Sequence, residues 1–200
     1  MATAVATELP PLVTPEQYLA TERAANFKSE YVNGRVYAMS GASDPHNLIT
    51  LNTAAGLHAR FRSRPCRVWQ ADMRVQVTAT GLYTYPDVAA LCGQPEFADA
   101  HVDTLLNPSV IVEVLSRSTE AYDRGEKFSH YRRLPSLREY VLVAQDRVRV
   151  EHRVRHDLGW LLTELDDLDA TLDLPAVGCA IPLREIYDRV APFAGEPPAR

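Results

Sequence analysis

Two acidic residues stand where a folded chain rarely places them. Glu113 is the one polar member of Val110-Ile-Val-Glu-Val-Leu115, a run whose length and aliphatic content predict a central strand covered on both faces. Side chains alternate along a strand, so Glu113 shares its face with Ile111 and Leu115. An ionised carboxylate there needs a cation or strong donors to offset its lost hydration. Asp87 repeats the anomaly inside the run Tyr85 to Leu91. Pro86 removes a ladder donor just before it, which favours a bulge or strand edge where a side chain can be aimed into a cleft. Two hard carboxylates, a backbone carbonyl and waters match the oxygen shell that Mg²⁺ prefers, with positions left open for a phosphate. The chemistry this suggests is metal-assisted phosphodiester hydrolysis.

A third group follows from chain length. Of the 21 basic residues 19 are arginine, and only Lys28 and Lys127 are lysine, so a lysine is a sparing choice here. From Glu113 to Ser118 an extended chain advances about 16 Å. A helix doubling back from Ser118 returns about 13 Å by Lys127. Lys127 is therefore expected level with Glu113, where a compact ammonium can orient a water or stabilise developing negative charge.

Each of these residues also has a plainer reading. Asp87 fits a turn aspartate bonding nearby backbone, Glu113 the partner of a structural arginine, and Lys127 an ordinary i, i+4 pair with Asp123. Glu30 fits a solvated strand end, and His46 a helix-start residue that could also contact phosphate. Arg60, Arg62, Arg64 and Arg67 complement the dipole of a helix C-terminus, and they also form the one dense basic patch open to a polyanion. Tyr122, Tyr131 and Trp160 read as core or interface aromatics.

The elements that must carry these groups can be read from pattern. Thr14-Pro15-Glu16-Gln17 is an N-cap, a first-turn proline and an acidic start for a helix of two or three turns. Asn33-Gly34, between Glu30-Tyr-Val and Arg35-Val-Tyr37, suits a type I′ hairpin turn. From Ser43 to about Arg62, Leu48, Ile49, Leu51, Leu57 and Phe61 recur at helical spacing. Val68 to Val77, Leu82 to Leu91 and Val110 to Leu115 read as three neighbouring strands. Ser118 to Leu134 is helical and closes at Pro135; Tyr140 to Ala144, Val148 to His152 and Trp160 to Leu165 read as strands. A last short helix is expected from Leu183 to Val190. This order suits an α/β fold, a single mixed central sheet flanked by helices. Residues 1–13 and 192–200 read as flexible ends around one domain over 14–191.

At this level the residues resemble a family. Tyr85-Pro-Asp87, Val112-Glu-Val-Leu-Ser116, Asp123-Arg-Gly-Glu-Lys127 with Tyr131, and Glu139-Tyr-Val-Leu-Val143 look like the Uma family of bacterial endonucleases, within the PD-(D/E)XK restriction-endonuclease-like superfamily. Glu30-Tyr-Val-Asn-Gly-Arg35 and His46 also match, so the resemblance covers about residues 14 to 190. It implies a restriction-endonuclease-like fold and a site for Mg²⁺ or Mn²⁺ on Asp87, Glu113 and the carbonyl of Val114. It also implies Lys127 as the water-positioning group, with Glu30 as an auxiliary acid near the metal; His46 and Asp123 are carried as further auxiliary residues. One departure is plain. The usual lysine two residues after the glutamate is Leu115 here, so Lys127 stands in for it only as a lysine relocated onto the helix.

Composition limits the partners. Apolar residues make up 46% and charged residues 24%, which excludes a disordered or low-complexity chain. The net charge of −5 provides no global field for a polyanion, so DNA must be met by a local patch. Cys66, Cys92 and Cys179 are odd in number and widely spaced, which reads as three reduced thiols in a cytoplasmic protein. No targeting or membrane-spanning stretch is evident. A homodimer suits an enzyme that cuts two strands. The competing class is a nuclease fold kept as a binding or assembly module without turnover. A zinc hydrolase lacks any H-E-x-x-H spacing.

Overall fold

The computed structural model describes residues 12–190, so the flexible ends expected at 1–13 and 192–200 lie outside the described residues apart from Leu12 and Val13. The chain runs α1 (Pro15–Ala24), β1 (Ser29–Val32), β2 (Arg35–Ala38), α2 (Asp44–Phe61), β3 (Cys66–Gln70), β4 (Arg74–Val77), β5 (Leu82–Thr84), β6 (Val88–Cys92), β7 (Thr104–Leu105) and β8 (Val110–Leu115). A helical segment follows as α3 (Glu120–Tyr122), a π turn (Asp123–Lys127) and α4 (Phe128–Tyr131). Then come β9 (Glu139–Ala144), β10 (Val150–His156), β11 (Gly159–Leu165), β12 (Thr171–Leu174), β13 (Cys179–Pro182) and α5 (Leu183–Ile186).

Local sequence explains the first elements. Thr14 and Gln17 cap α1 reciprocally, the threonine oxygen accepting from Gln17 N at 3.3 Å and the glutamine oxygen from Thr14 N at 2.9 Å. This satisfies two otherwise orphaned donors. Asn33 and Gly34 take φ of 50° and 84°, the positive angles that a type I′ turn demands. Ser43 caps α2 by accepting from His46 N.

Two sheets, not one, form the scaffold. β2-β1-β5-β4-β7 make a five-stranded sheet, β11-β10-β9-β8-β6-β3 a six-stranded one, and β12-β13 a separate ribbon. Both large sheets are mixed: β8 and β9 are parallel, as are β4 and β7, and the remaining pairs are antiparallel. The expected strand 68–77 breaks after Gln70, where Ala71 takes φ of 54°, into β3 of the large sheet and β4 of the smaller one. The expected strand 82–91 breaks at Tyr85-Pro86-Asp87 into β5 and β6, again one in each sheet. Ala71 N donates to Asp87 O at 3.0 Å, so the two corners are bonded to each other. The three neighbouring strands expected from the sequence are therefore five strands in two sheets. Alternation reports which side of a strand is buried, but not that the chain turns out of one sheet into another.

The large sheet is covered on both faces, as the aliphatic run of β8 requires. Val110, Val112, Val114, Val141 and Val143 pack against α2, the ribbon and α5, together with Ile49, Leu57, Leu172 and Ile181. The alternate residues Ile111, Leu115, Tyr140 and Leu142 pack with Val75, Leu82, Tyr131 and Leu137. Glu113 belongs by alternation to that second face, which turns towards the smaller sheet and the helical segment.

The cysteines differ from the expectation of three free thiols. Cys66 and Cys92 are directly opposite across β3 and β6 and are joined as a disulfide, with Cys179 free. Sequence spacing does not reveal register, and register brings these two together. The argument from free thiols to a reducing compartment loses its premise. Among the described residues no helix is long and apolar enough to cross a membrane.

Candidate active site

Five elements deliver side chains to one cleft of about 680 Å³. β8 supplies Glu113, the lead-in to β6 supplies Asp87, and the helical segment supplies Asp123 and Lys127. β1 supplies Glu30, and the first turn of α2 supplies His46. All six line the cleft, with Val114 and Tyr122.

Lys127 is the hub. Its Nζ lies 2.9 Å from Glu113 Oε1, 3.3 Å from Glu30 Oε1 and 3.6 Å from Asp123 Oδ1. The level placement expected from strand and helix rise is what the structure shows. The i, i+4 contact with Asp123 is present as well, but both residues are buried, at 3% and 5% exposure, so it is not a solvated surface pair. The helix widens here from α to π, a local irregularity of the kind that concentrates at functional sites. Asp123 and Lys127 are its buried members.

Each carboxylate is also held by uncharged donors. Tyr131, one α-helical turn beyond Lys127 and fully buried, donates to Glu113 Oε1 at 2.9 Å. Both bonds to Glu113 thus fall on Oε1, leaving Oε2 as the oxygen open to the cleft. Tyr122 donates to Glu30 Oε2 at 3.3 Å, and Thr84 donates to Glu30 Oε1. Asp87 accepts from Val114 N at 2.7 Å through Oδ2, and its Oδ1 lies 2.8 Å from His46 Nε2.

The charges do not balance. Burial pushes Glu113 well above the usual carboxylate range; Lys127 opposes this, while Asp87 and Asp123 reinforce it. Burial likewise raises Asp123. Burial works against the Lys127 ammonium, yet Glu113, Glu30 and Asp123 outweigh it and hold the lysine well above its ordinary value. The two directions are consistent. One ammonium cannot compensate three nearby carboxylates, so Lys127 stays charged and the most buried acid tends to keep a proton. Tyr131 and Tyr140, raised chiefly by burial with Glu113 adding to it, remain neutral donors.

This donor set fits a hard divalent cation: oxygen ligands, surplus negative charge, and a Glu113 oxygen open to the cleft. Among the described residues no three acid, imidazole or thiol side chains are already gathered at ligand geometry. Asp87 and Glu113 are instead held by their protein partners.

The arginine patch lies elsewhere. Arg60 is fourteen residues along α2 from His46, about 21 Å by helix rise, and none of the four arginines lines the cleft. Arg60 pairs with Glu185 at 2.8 Å, and Arg64 donates to the carbonyls of Val177 and Gly178. These two tie α2 to α5 and to the turn before β13. Arg62 and Arg67 are exposed.

Sequence reasoning missed three groups at the site: Thr84, Tyr122 and Tyr131, the two tyrosines having been read as core or interface. A signal for Tyr131 was available, because it follows Lys127 by four residues on one helical face. Trp160 does pack as read, edge-on to Phe128 and under Arg155.

The fold and the acid and lysine cleft together define a restriction-endonuclease-like protein. A crystal structure described as a putative nuclease belonging to DUF820, from Anabaena variabilis, superposes with a TM-score of 0.72 at 15% identity. The match covers 88% of this chain and 97% of that one, and at such identity it speaks for the fold. The family profile of Uma2, described as "Putative restriction endonuclease", matches residues 15–184, and the chain belongs to that family. Two relatives from Synechocystis sp. are similar over most of their length. "Uncharacterized protein sll1609" is 37% identical over 163 residues, covering 81% of this chain and 92% of its own, and "Uncharacterized protein slr1290" is 34% identical over 182 residues, covering 90% and 94%.

Proposed function

We propose that the protein is a divalent-metal-dependent endonuclease that hydrolyses phosphodiester bonds of DNA. The observation that carries this reading is the convergence of Glu113, Glu30 and Asp123 on the buried Lys127, with Asp87 in the same cleft. Family membership and the nuclease-like fold support it.

Asp87, Glu113 and the Val114 carbonyl are the residues that would hold Mg²⁺ or Mn²⁺. Such an ion supplies Lewis-acid polarisation of the phosphate and a water of lowered pKa. The remaining roles belong to the chain. Lys127, kept charged by its acidic neighbours, is placed to orient the attacking water and to stabilise charge developing on the phosphate. Tyr131 fixes one oxygen of Glu113, so that the other points into the cleft. His46 and the Val114 N–H hold Asp87 in one orientation, as supporting partners do for ligating carboxylates. Glu30 and Asp123 keep Lys127 from swinging away.

The second reading, a nuclease fold kept for binding without turnover, draws on the net charge of −5 and on the tight pairing of Lys127. A cleavage assay on labelled DNA with Mg²⁺, with EDTA, and with Glu113→Gln separates the two. Hydrolysis that requires the ion and falls at least about 100-fold in a folded Glu113→Gln variant is expected, the scale of losing one positioned catalytic group. No cleavage by the wild type, or equal cleavage by the variant, removes the nuclease reading.

A further inference from the structure

The proposed chemistry leaves part of the cleft unused, and that part differs in character from the acidic floor. Glu113, Asp123 and Lys127 are at most 5% exposed, so a reacting phosphate has to descend to them. The cavity of about 680 Å³ lies within the size range of pockets that enclose a small molecule, so a nucleotide or two of a strand fits it and the body of a duplex does not. Its walls are also tied together. Ser43, before α2, and Gln145, after β9, both line the cleft and are joined by a 2.6 Å hydrogen bond.

The β1–β2 register furnishes a different wall. Tyr37 is the direct partner of Glu30, and directly opposed residues project from the same face with Cβ atoms about 5 Å apart. Tyr37 therefore springs from beside Glu30, a member of the Lys127 cluster, yet it is 51% exposed on an edge strand and lines the cleft. Alternation places Lys28 on the face of Glu30, and Met39, whose N–H donates to Lys28 O at 3.0 Å, beside it. Lys28 Nζ bonds Ala71 O at 3.0 Å and Asp72 at 2.9 Å. That aspartate is 88% exposed, so the pair is weak and readily exchanged for a phosphate. Both lysines of the chain line this cleft, and among the described residues no arginine does.

Resting on the nuclease reading, we propose that the cleft accepts DNA as a single strand, with Tyr37 as a base-stacking platform and Lys28 as the phosphate contact that leads the strand to Lys127 and Glu113. Stacking on an exposed ring is tolerant of sequence, and one cation beside it tracks the backbone. A single strand can lower one phosphate to a pocket floor without the unstacking and unpairing that a duplex would have to undergo.

The test compares a fluorescent single strand of about 16 nucleotides, the upper site size of single-strand folds, with its duplex. Binding is read by anisotropy in EDTA and cleavage in Mg²⁺. The single strand is expected to bind and to be cut at least tenfold better. Tyr37→Ser should weaken single-strand binding roughly 5- to 150-fold, the range of one lost stack, while Tyr37→Phe retains it. Lys28→Ala should flatten the salt dependence by about 0.7, one phosphate's share on a single strand. Tyr37 is exposed and Lys28 partly so, and unchanged melting temperatures will certify folding. A duplex bound and cut as well as the single strand overturns the inference and leaves the nuclease standing; so does binding indifferent to Tyr37. Tyr37-dependent binding with no cleavage in Mg²⁺ keeps the strand cleft and removes the hydrolysis. Loss of both removes both.

Discussion

Replacing Lys127 by methionine keeps most of the stem and deletes the ammonium, which strands Glu113, Glu30 and Asp123 together. Lys127 is 5% exposed and sits 2.9 Å from Glu113. Removing one partner of a buried pair costs about 3–5 kcal/mol. For a domain of this size each kcal/mol moves the melting point by about 2–4 °C, so a fall of roughly 6–20 °C is expected near neutral pH. The loss should also depend on pH, with a definite sign. Glu113 has a folded pKa raised by burial above the ordinary 4.5, and without Lys127 it rises further. An acid of that kind binds more protons folded than unfolded, so stability declines as pH climbs from the unfolded value through the folded one. The gap between wild type and Lys127→Met should therefore stay level from pH 4.5 up to the wild-type folded value of Glu113, itself well above 4.5, and widen above it, by at most about 1.4 kcal/mol per pH unit for one proton. Urea denaturation across that range measures it, and adding Glu113→Leu to Lys127→Met should recover much of the loss. A gap below about 1 kcal/mol, the scale of a surface pair, or one indifferent to pH, would refute the picture of a desolvated charge hub.

Mg²⁺ at a hundredfold excess over its dissociation constant should stabilise the wild type by about 2.7 kcal/mol, and Asp87→Asn should abolish that shift in differential scanning calorimetry. Reducing the Cys66–Cys92 bridge, or replacing both residues by serine, frees a loop with a sequence separation of 26. The chain-entropy estimate is about 3.5 kcal/mol, so thermal unfolding with and without reductant should differ by roughly 7–14 °C. Gly125, with nothing within 4 Å of a Cβ built on it, is an open position in the π turn. Deleting it should restore α geometry and change the Asp123-to-Lys127 spacing from i, i+4 across a π turn to i, i+3 in an α-helix, loosening their contact and lowering cleavage while far-ultraviolet circular dichroism stays nearly unchanged.

Much of the site was legible because burying charge is costly. A glutamate inside Val110–Leu115 demanded a compensating group, and simple chain rise put Lys127 beside it. The Asn33-Gly34 turn was legible for a similar reason, since few residue pairs tolerate its backbone angles. Other features were hidden. The corners at Ala71 and Tyr85-Pro86-Asp87 leave the alternation of apolar residues intact, so continuous strands were read where the chain changes sheet. The π turn has no compositional mark. The Cys66–Cys92 bridge depends on a register that spacing does not encode. The ribbon β12–β13 was overlooked although Leu172 and Leu174 alternate and Gly178 sits at φ of 57°. Its strands are four residues each, too short for periodicity alone to raise.

The two corners bonded through Ala71 and Asp87 have a mechanical consequence. The jaws of the cleft are separate sheets, yet they spring from the same two stretches of chain, cross-linked where they part. A mouth hinged in this way has its two jaws fixed in spacing where they part, so a displacement of one corner is passed to the other. Under the single-strand proposal, selection then rests on the compliance of the guest: a polymer that can fray or bend sharply is expected to enter, and a stiff one to be excluded.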